Sequence, residues 1–356
     1  QNEILRKGAL GPFRELLGSV SKDPAMIVWL DIAENRRGRP NENFAREVME
    51  LFTMGEGSGY TEKDVQEAAR AFTGWSVARN RDPELPKTEP RAEFRFRPAV
   101  HDSGPKTILG KTANFDGDAV FDLLCDDPRT ARYLVRKMWT WFAYADPADA
   151  LVERLAEGWR RSGMVVADLV RAIALSPEFL SPKADRTVYK SPVDFCVPLL
   201  RGLGVGALLQ TSLTTGASRG RFPGSQLMIG SMKNMGQWLL YPPDVAGWEG
   251  GASWISSATM VERIGFADRL YNTGTPLKGP RLNYPAMAIL GGDPTPKGVV
   301  RTLLSLYDAP VKVDRQRLLV EAATKAIGPG LDPRNAPKVA ATVSRLIFAT
   351  PEFQMM

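Results

Sequence analysis

Over most of the chain, apolar residues recur every three or four positions, the spacing that gives an α-helix one buried face. The period holds over 9–19, 24–33, 41–54, 61–73, 117–125, 128–144, 147–161 and 165–175, then over 192–204, 226–240, 253–271, 296–306, 315–327 and 337–349. Local signals mark several ends. Pro40 precedes the 41–54 run and Gly55 stops it. Thr61 and Asp64 stand at capping-box spacing, with Asp a weaker partner there than Glu.

The period changes between 74 and 112. Five prolines fall there (Pro83, Pro86, Pro90, Pro98 and Pro105), and Phe94-Arg95-Phe96-Arg97 alternates with period two. A strand is predicted over 93–97, with 107–110 as its partner and a charged, Pro-rich loop over 78–92. The Gly/Ser/Thr-rich stretch 205–224 reads as a long loop, and the Pro/Gly-rich stretch 272–295 as a linker. The expected fold is mainly α, a multi-helix orthogonal bundle with a small β-hairpin or flap near residues 93–110. The expected domains are a main helical domain, 1–271, carrying a β-flap insertion over 76–112, then the 272–295 linker. A C-terminal helical tail, 296–356, packs on the main domain.

One segment repeats. R171-A-I-A-L-S-P-E-F179 echoes R345-L-I-F-A-T-P-E-F353. Ser176 and Thr350 can N-cap, Pro177 and Pro351 suit a first helical position, and Phe179 and Phe353 can anchor a corner in a core. A repeated structural corner is expected, not a duplicated active site.

Composition narrows the class. In 356 residues, 44% are apolar or aromatic, and the mean hydropathy of -0.21 is ordinary for a soluble protein able to bury a core. No run approaches the roughly 20 apolar residues that span a bilayer. Gln1-Asn2-Glu3 opens without a basic region, an apolar run or an initiator Met, so a mature, cleaved or truncated chain is expected. Cys125 and Cys196, the only cysteines, make neither a disulfide framework nor a zinc site. The net charge of +6 is scattered in small groups such as Arg36-Arg37-Arg39, with no basic tail and no aromatic-basic nucleic-acid motif. A solvated basic surface is expected, and nucleic acid is not an expected partner.

Three stretches can carry chemistry. On a helical wheel of residues 41–55, Phe44, Ala45, Val48, Met49, Leu51 and Phe52 share one arc, and Glu42, Asn43, Arg46, Glu50 and Thr53 the other. Arg46 lies four residues from both Glu42 and Glu50 and can screen each. Glu47 stands on the border, where a buried carboxylate needs a partner: Arg70, Lys106, His101 or a metal. Glu47 and Glu50 together could bind a hard cation or split their pKa values as an acid/base pair. A solvated face with one structural salt bridge is equally open. The second stretch is H101-D-S-G-P-K106, with the only histidine of the chain beside Asp102. His101 could be a base, an acid or a metal ligand, or the stretch could be an Asp-anchored turn; Lys106 could face an anionic group. The third stretch gathers Trp238, Tyr241, Trp248 and Trp254 around Pro242-Pro243, with Asp244 and Glu249 alongside. It suits stacking on sugars or peptides, and equally a core corner. No phosphate-binding loop, nucleophile elbow or H-E-x-x-H motif is present.

Taken together, several motifs resemble the bacterial domain-of-unknown-function 1800 family over nearly the whole chain. They are the 41–55 run, Y60-T-E-K-D-V65, A71-F-T-G-W75, H101-D-S-G-P-K-T-I-L-G110, Pro242-Pro243-Asp244-Val245-Ala246-Gly247-Trp248 with Trp254-Ile255, and the A349-T-P-E-F353 ending. The resemblance implies a largely helical, exported protein, periplasmic or extracellular, often made with a twin-arginine-type signal. Such proteins are frequently encoded beside a second exported family with a phosphatase- or sulfatase-like fold, and no activity is established. It also implies an additional N-terminal segment, aromatic and histidine-rich, that this chain would lack or meet as a separate chain. By motif it marks Asn43, Arg46, Glu47, Glu50, His101, Asp102, Lys106 and Asp244 as candidate polar-site residues. Two functions are expected from these observations. One is a binding protein, holding a polymer or an extracellular partner (such as the product of a neighbouring gene) through a polar pocket with Asn43, Arg46 and Lys106 and an aromatic corner with Asp244, Trp248 and Trp254. The other is a metal- or carboxylate-assisted hydrolase. Its catalytic or metal-ligating residues would be Glu47, Glu50, His101 and Asp102, with a divalent metal as the cofactor to consider.

Overall fold

Helical spacing becomes helix along most of the chain because each predicted run can bury its apolar arc against a neighbour. The computed structural model describes residues 1–82, 84, 91–202, 225–271 and 284–356. These form two compact units, Gln1–Ala184 and Asp185–Met356.

The first unit opens with α1 (Asn2–Gly8), α2 (Phe13–Ser21) and α3 (Pro24–Trp29). Next come α4 (Asn43–Glu47), which continues as a π-turn over Val48–Thr53, and α5 (Glu62–Ala71). Strands β1 (Trp75–Arg79), β2 (Ala92–Phe96), β3 (Lys106–Ile108) and β4 (Lys111–Ala113) follow. The unit closes with α6 (Gly117–Asp126), α7 (Pro128–Phe142), α8 (Asp149–Arg161) and α9 (Val166–Ala174). Side-chain caps fix several starts. Thr61 and Asp64 complete the capping box, and Asp23, Asp116 and Asp127 each accept a backbone N–H of the following helix.

The strands differ from expectation. Residues 93–97 do not pair with 107–110. Instead β2 pairs antiparallel with β1, and β3 pairs with β4 in a separate ribbon. The reason is Trp75. Its ring is buried, edge-on to Phe72 at 5.2 Å and to Phe94 at 5.3 Å, which draws β1 and β2 onto one aromatic core with Phe44 and Phe121. Gly117 makes room for this ring, since a Cβ there would lie 2.3 Å from it.

The second unit contains α10 (Pro192–Gly202), α11 (Ser225–Asn234), α12 (Ser257–Tyr271), α13 (Tyr284–Leu290), α14 (Pro296–Leu306), α15 (Val313–Ile327) and α16 (Ala336–Phe348). Here the expected domain division gives way. Residues 296–356 are not a tail on a 1–271 body: they share one core with residues from Phe195 onward. Phe195 meets Phe348 at 6.0 Å and Phe353 at 5.5 Å, and so joins α10 to the end of the chain's helical run. Part of the expected linker is helix, because Ala286 and Ile289 of α13 are buried in the same core. The remainder of that linker's start, 272–283, and the expected 205–224 loop lie outside the described residues. Among the described residues, no helix is long and apolar enough to cross a membrane.

The repeated segment forms the same corner once in each unit. Ser176 Oγ donates to Ile173 O and Thr350 Oγ1 to Ile347 O, both at 2.7 Å. The hydroxyls thus satisfy carbonyls of the helix they end, rather than chiefly capping the turn beyond it. Glu178 pairs with Arg154 of α8, and Glu352 with Arg315 of α15. Phe179 packs on the first unit's helical core, and Phe353 lies within the second's.

Candidate functional site

The 41–55 stretch starts at a polar knot. Buried Asn35 donates from Nδ2 to Ala69 O at 2.8 Å and accepts the Asn41 N–H at 3.0 Å; Asn41 in turn accepts the Asn43 N–H. The helix ends in a π-turn, with Met54 N donating to Met49 O at 2.8 Å. Thr53 Oγ1 takes the Val48 carbonyl at 2.6 Å. Gly55 stops the run with φ +90, where a Cβ would lie 2.6 Å from the Tyr133 ring.

Arg46 is claimed by Glu62, a residue the spacing argument missed. Both carboxylate oxygens of Glu62 accept from its guanidinium, at 2.6 and 2.9 Å, and Glu42 adds a contact at 3.4 Å. Glu62 sits in the first turn of α5, so no pattern within one helix could reveal it. Glu47 is half-buried and has no hydrogen bond or ion pair among the described residues. Burial, then the neighbouring Glu50 carboxylate, push its carboxyl above the ordinary range against the pull of Arg46. Burial and Glu50 also push the Tyr60 hydroxyl up to about 12. Glu50, on the widened turn, thus lies close to both Glu47 of α4 and Tyr60 of the following loop.

His101, Asp102 and Lys106 belong to a different cluster. Asp102 accepts Arg70 Nε at 2.8 Å, Arg70 Nη2 at 3.2 Å and the Gly104 N–H at 3.0 Å. Those Arg70 bonds hold its carboxyl below the usual range. Glu67 binds the other side of Arg70 and accepts the Thr107 N–H. Thr73 Oγ1 accepts the Asp102 N–H at 2.8 Å. His101 Nδ1 lies 2.8 Å from the Thr73 carbonyl, which can only accept, so Nδ1 carries the proton. Lys106 does not face an anion. It is buried, donates to Asp102 O at 2.6 Å and Gly104 O at 2.9 Å, and its pKa is lowered by burial. This stretch is an Asp-anchored clamp tying α5 to β3.

No hydrogen bond or ion pair among the described residues joins Glu47 or Glu50 to His101 or Asp102. Nor is any group of three or more His, Cys, Asp or Glu side chains among them placed to hold a metal ion. The four candidate ligands do not assemble into the expected metal site.

A family model described as "Protein of unknown function (DUF1800)" matches residues 1–355. The chain belongs to this family. No curated protein matches it, and no solved structure does.

The remaining DUF1800 motif, in the second unit, separates into core and surface. Trp254 is buried and Trp248 half-buried. Asp244 is exposed and shapes its own turn, its Oδ1 accepting the Ala246 N–H at 2.9 Å. Trp238 and Tyr241 are the exposed pair. Their rings stack at 4.4 Å and 24°, and Lys233 Nζ lies 3.8 Å from the Trp238 centroid. Tyr241 is itself 64% exposed. Leu240 between them is 92% exposed at φ +67, a conformation that is costly for a branched, non-glycine residue. Leu239 and Val245 are exposed as well.

Proposed function

We propose that this chain is an exported binding protein that docks a partner polypeptide on the Trp238–Tyr241 corner. The carrying observation is Leu240, 92% exposed in a strained conformation on the short segment whose flanking rings, Trp238 and Tyr241, stack on each other. Folding alone gains nothing from exposing Leu239, Leu240 and Val245 around such a pair, whereas interface centres are rich in Trp and Tyr with apolar neighbours. The aliphatic residues favour a polypeptide over a glycan, because sugars use ring faces and hydrogen bonds and find little in leucine. Lys233 at the Trp238 ring, and the exposed Asp244 and Glu249 a few residues further along the chain, can set orientation. Export rests on the motif resemblance described above, and fractionation of the producing cells tests it. The hydrolase alternative, with Glu47, Glu50, His101 and Asp102, has weaker support, since Asp102 is engaged by Arg70 and no hydrogen bond or ion pair among the described residues joins Glu47 or Glu50 to it or to His101.

Panning the purified full chain against a random-peptide display library tests the docking reading. A consensus peptide is expected whose synthetic form binds the wild type, and binds W238A/Y241A at least about tenfold more weakly. Absence of a consensus, equal binding by the variant, or retention of glycans in place of peptides overturns it.

A further inference from the structure

Besides the aromatic corner, the second unit holds a half-open cleft of about 310 Å³. Its apolar wall is made by Phe195, Pro198 and Leu199 of α10, Leu306 and Tyr307 at the end of α14, and Phe353 of the repeated corner. Four charged side chains also reach it, and three are committed. Arg186 Nη2 donates to both Asp308 oxygens at 3.0 Å. Asp194 accepts the Ser191 hydroxyl at 2.6 Å and its N–H at 3.3 Å. Lys190 is different. Its ammonium lies 4.1 Å from the Phe353 ring centroid and has no hydrogen bond or ion pair among the described residues.

A half-buried ammonium supported only by a ring face is incompletely compensated. Its amine accordingly titrates low, at about 8, chiefly because of burial and then because of Arg186 and Arg263, with Asp308 and Asp194 opposing. Its position is fixed by its own backbone. Lys190 N donates to Gln354 O at 2.8 Å, and Lys190 O accepts from buried Arg263 at 2.7 Å. Thus, among the described residues, one uncommitted cation is held at the edge of an apolar cleft at the small end of ligand-site volumes.

We propose that this cleft binds a small carboxylate with an apolar body, the carboxylate pairing with Lys190 and the body lying along Phe195, Leu199 and Phe353. The charges define the ligand class. One ammonium matches a monoanion, while Asp194 and Asp308 nearby disfavour a phosphate dianion. A neutral ligand leaves the ammonium uncompensated, and a cation meets it directly. The volume suits a short acyl or aryl acid rather than a polymer, so this site is distinct in chemistry from the aromatic corner.

Octanoate is the probe, measured by titration calorimetry on the full chain against octanol and octylamine at about pH 7. One octanoate per chain is expected, with octanol at least about tenfold weaker and octylamine not bound. Octanoate affinity is expected to fall about tenfold or more by pH 9.5, as Lys190 loses its proton. K190M, which keeps the stem but not the charge, is expected to weaken octanoate about tenfold while leaving octanol unchanged. Octanoate binding no tighter than octanol, or unchanged between the two pH values, overturns the proposal. These wild-type arms decide it even where K190M does not fold.

Discussion

Replacing Asp102 by Asn is the sharpest test of whether the His101–Lys106 stretch is a clamp. The substitution keeps the shape and removes the charge that Arg70 grips through two bonds at 2.8 and 3.2 Å. Hydrogen bonds between charged groups contribute about 1.5–3 kcal/mol net. The Asp102 side chain is 18% exposed and that of Arg70 28%, which moves the pair toward the lower part of that range. Asn retains one acceptor, but its amide N–H faces a guanidinium that cannot accept. A loss of about 2 kcal/mol is therefore expected, or about 4–8 °C in Tm for a unit of this size. Urea unfolding reads it as a lower midpoint at unchanged slope. Hydrogen exchange should place the loss in peptides of Gln1–Ala184. The pH dependence gives a second check. Arg70 holds the Asp102 carboxyl below its ordinary value. Its contribution is then complete above the unfolded carboxyl pKa of about 3.9 and disappears as pH falls through the lower folded value. The gap between wild type and D102N should be full at neutral pH and close in acid. A loss below about 0.5 kcal/mol, or a gap undiminished in acid, refutes the clamp.

Two further substitutions probe the 41–55 helix. Gly55→Ala places a Cβ 2.6 Å from the Tyr133 ring at φ +90, so conformational strain and overpacking together should cost about 2–4 kcal/mol in urea unfolding. A loss below about 1 kcal/mol would show that Tyr133 can simply move aside. Glu47→Gln should raise Tm at neutral pH and have no effect near pH 4. Burial and Glu50 raise the folded carboxyl, so ionisation costs stability as pH climbs through the unfolded and then the folded value. A lower Tm at neutral pH would mean that the carboxylate has a favourable partner.

Helix positions were legible because each unit buries apolar arcs at helical spacing, and the start signal at Thr61 is satisfied by a capping box. Three things were hidden because they depend on residues far apart in the chain. The strand partner of β2 was fixed by the aromatic core around Trp75, not by the alternation of residues 93–97. Arg46 was expected to divide itself between helix neighbours, yet Glu62 of the next helix takes it bidentately. The unit boundary was misplaced because the Pro/Gly-rich stretch near 272 resembles a linker, whereas the core runs from Phe195 to Phe353 on both sides of it. Lys190 gave no signal at all. A lone lysine before Ser-Pro looks like any helix entrance until Phe353 and the cleft are seen beside it.

The distribution of spent and unspent bonding capacity separates scaffold from site. Gly55, Trp75, Asp102 and Lys106 all lie in motifs that carry the family resemblance, yet each is used up locally: by a left-handed turn against Tyr133, an aromatic core, a grip on Arg70, and two backbone carbonyls. The repeated corner behaves likewise, its hydroxyls turned to backbone and its glutamates to arginines in both units. Trp238 and Tyr241 with Leu240, and the ammonium of Lys190, are different, because folding leaves them exposed or uncompensated. Both lie outside the helices, Trp238–Tyr241 just after α11, which ends at Asn234 although apolar spacing runs on to 240, and Lys190 just before α10, so helix packing neither requires nor satisfies them. A side chain that folding neither buries nor pairs, held by a backbone that folding does fix, is already arranged for something outside the chain.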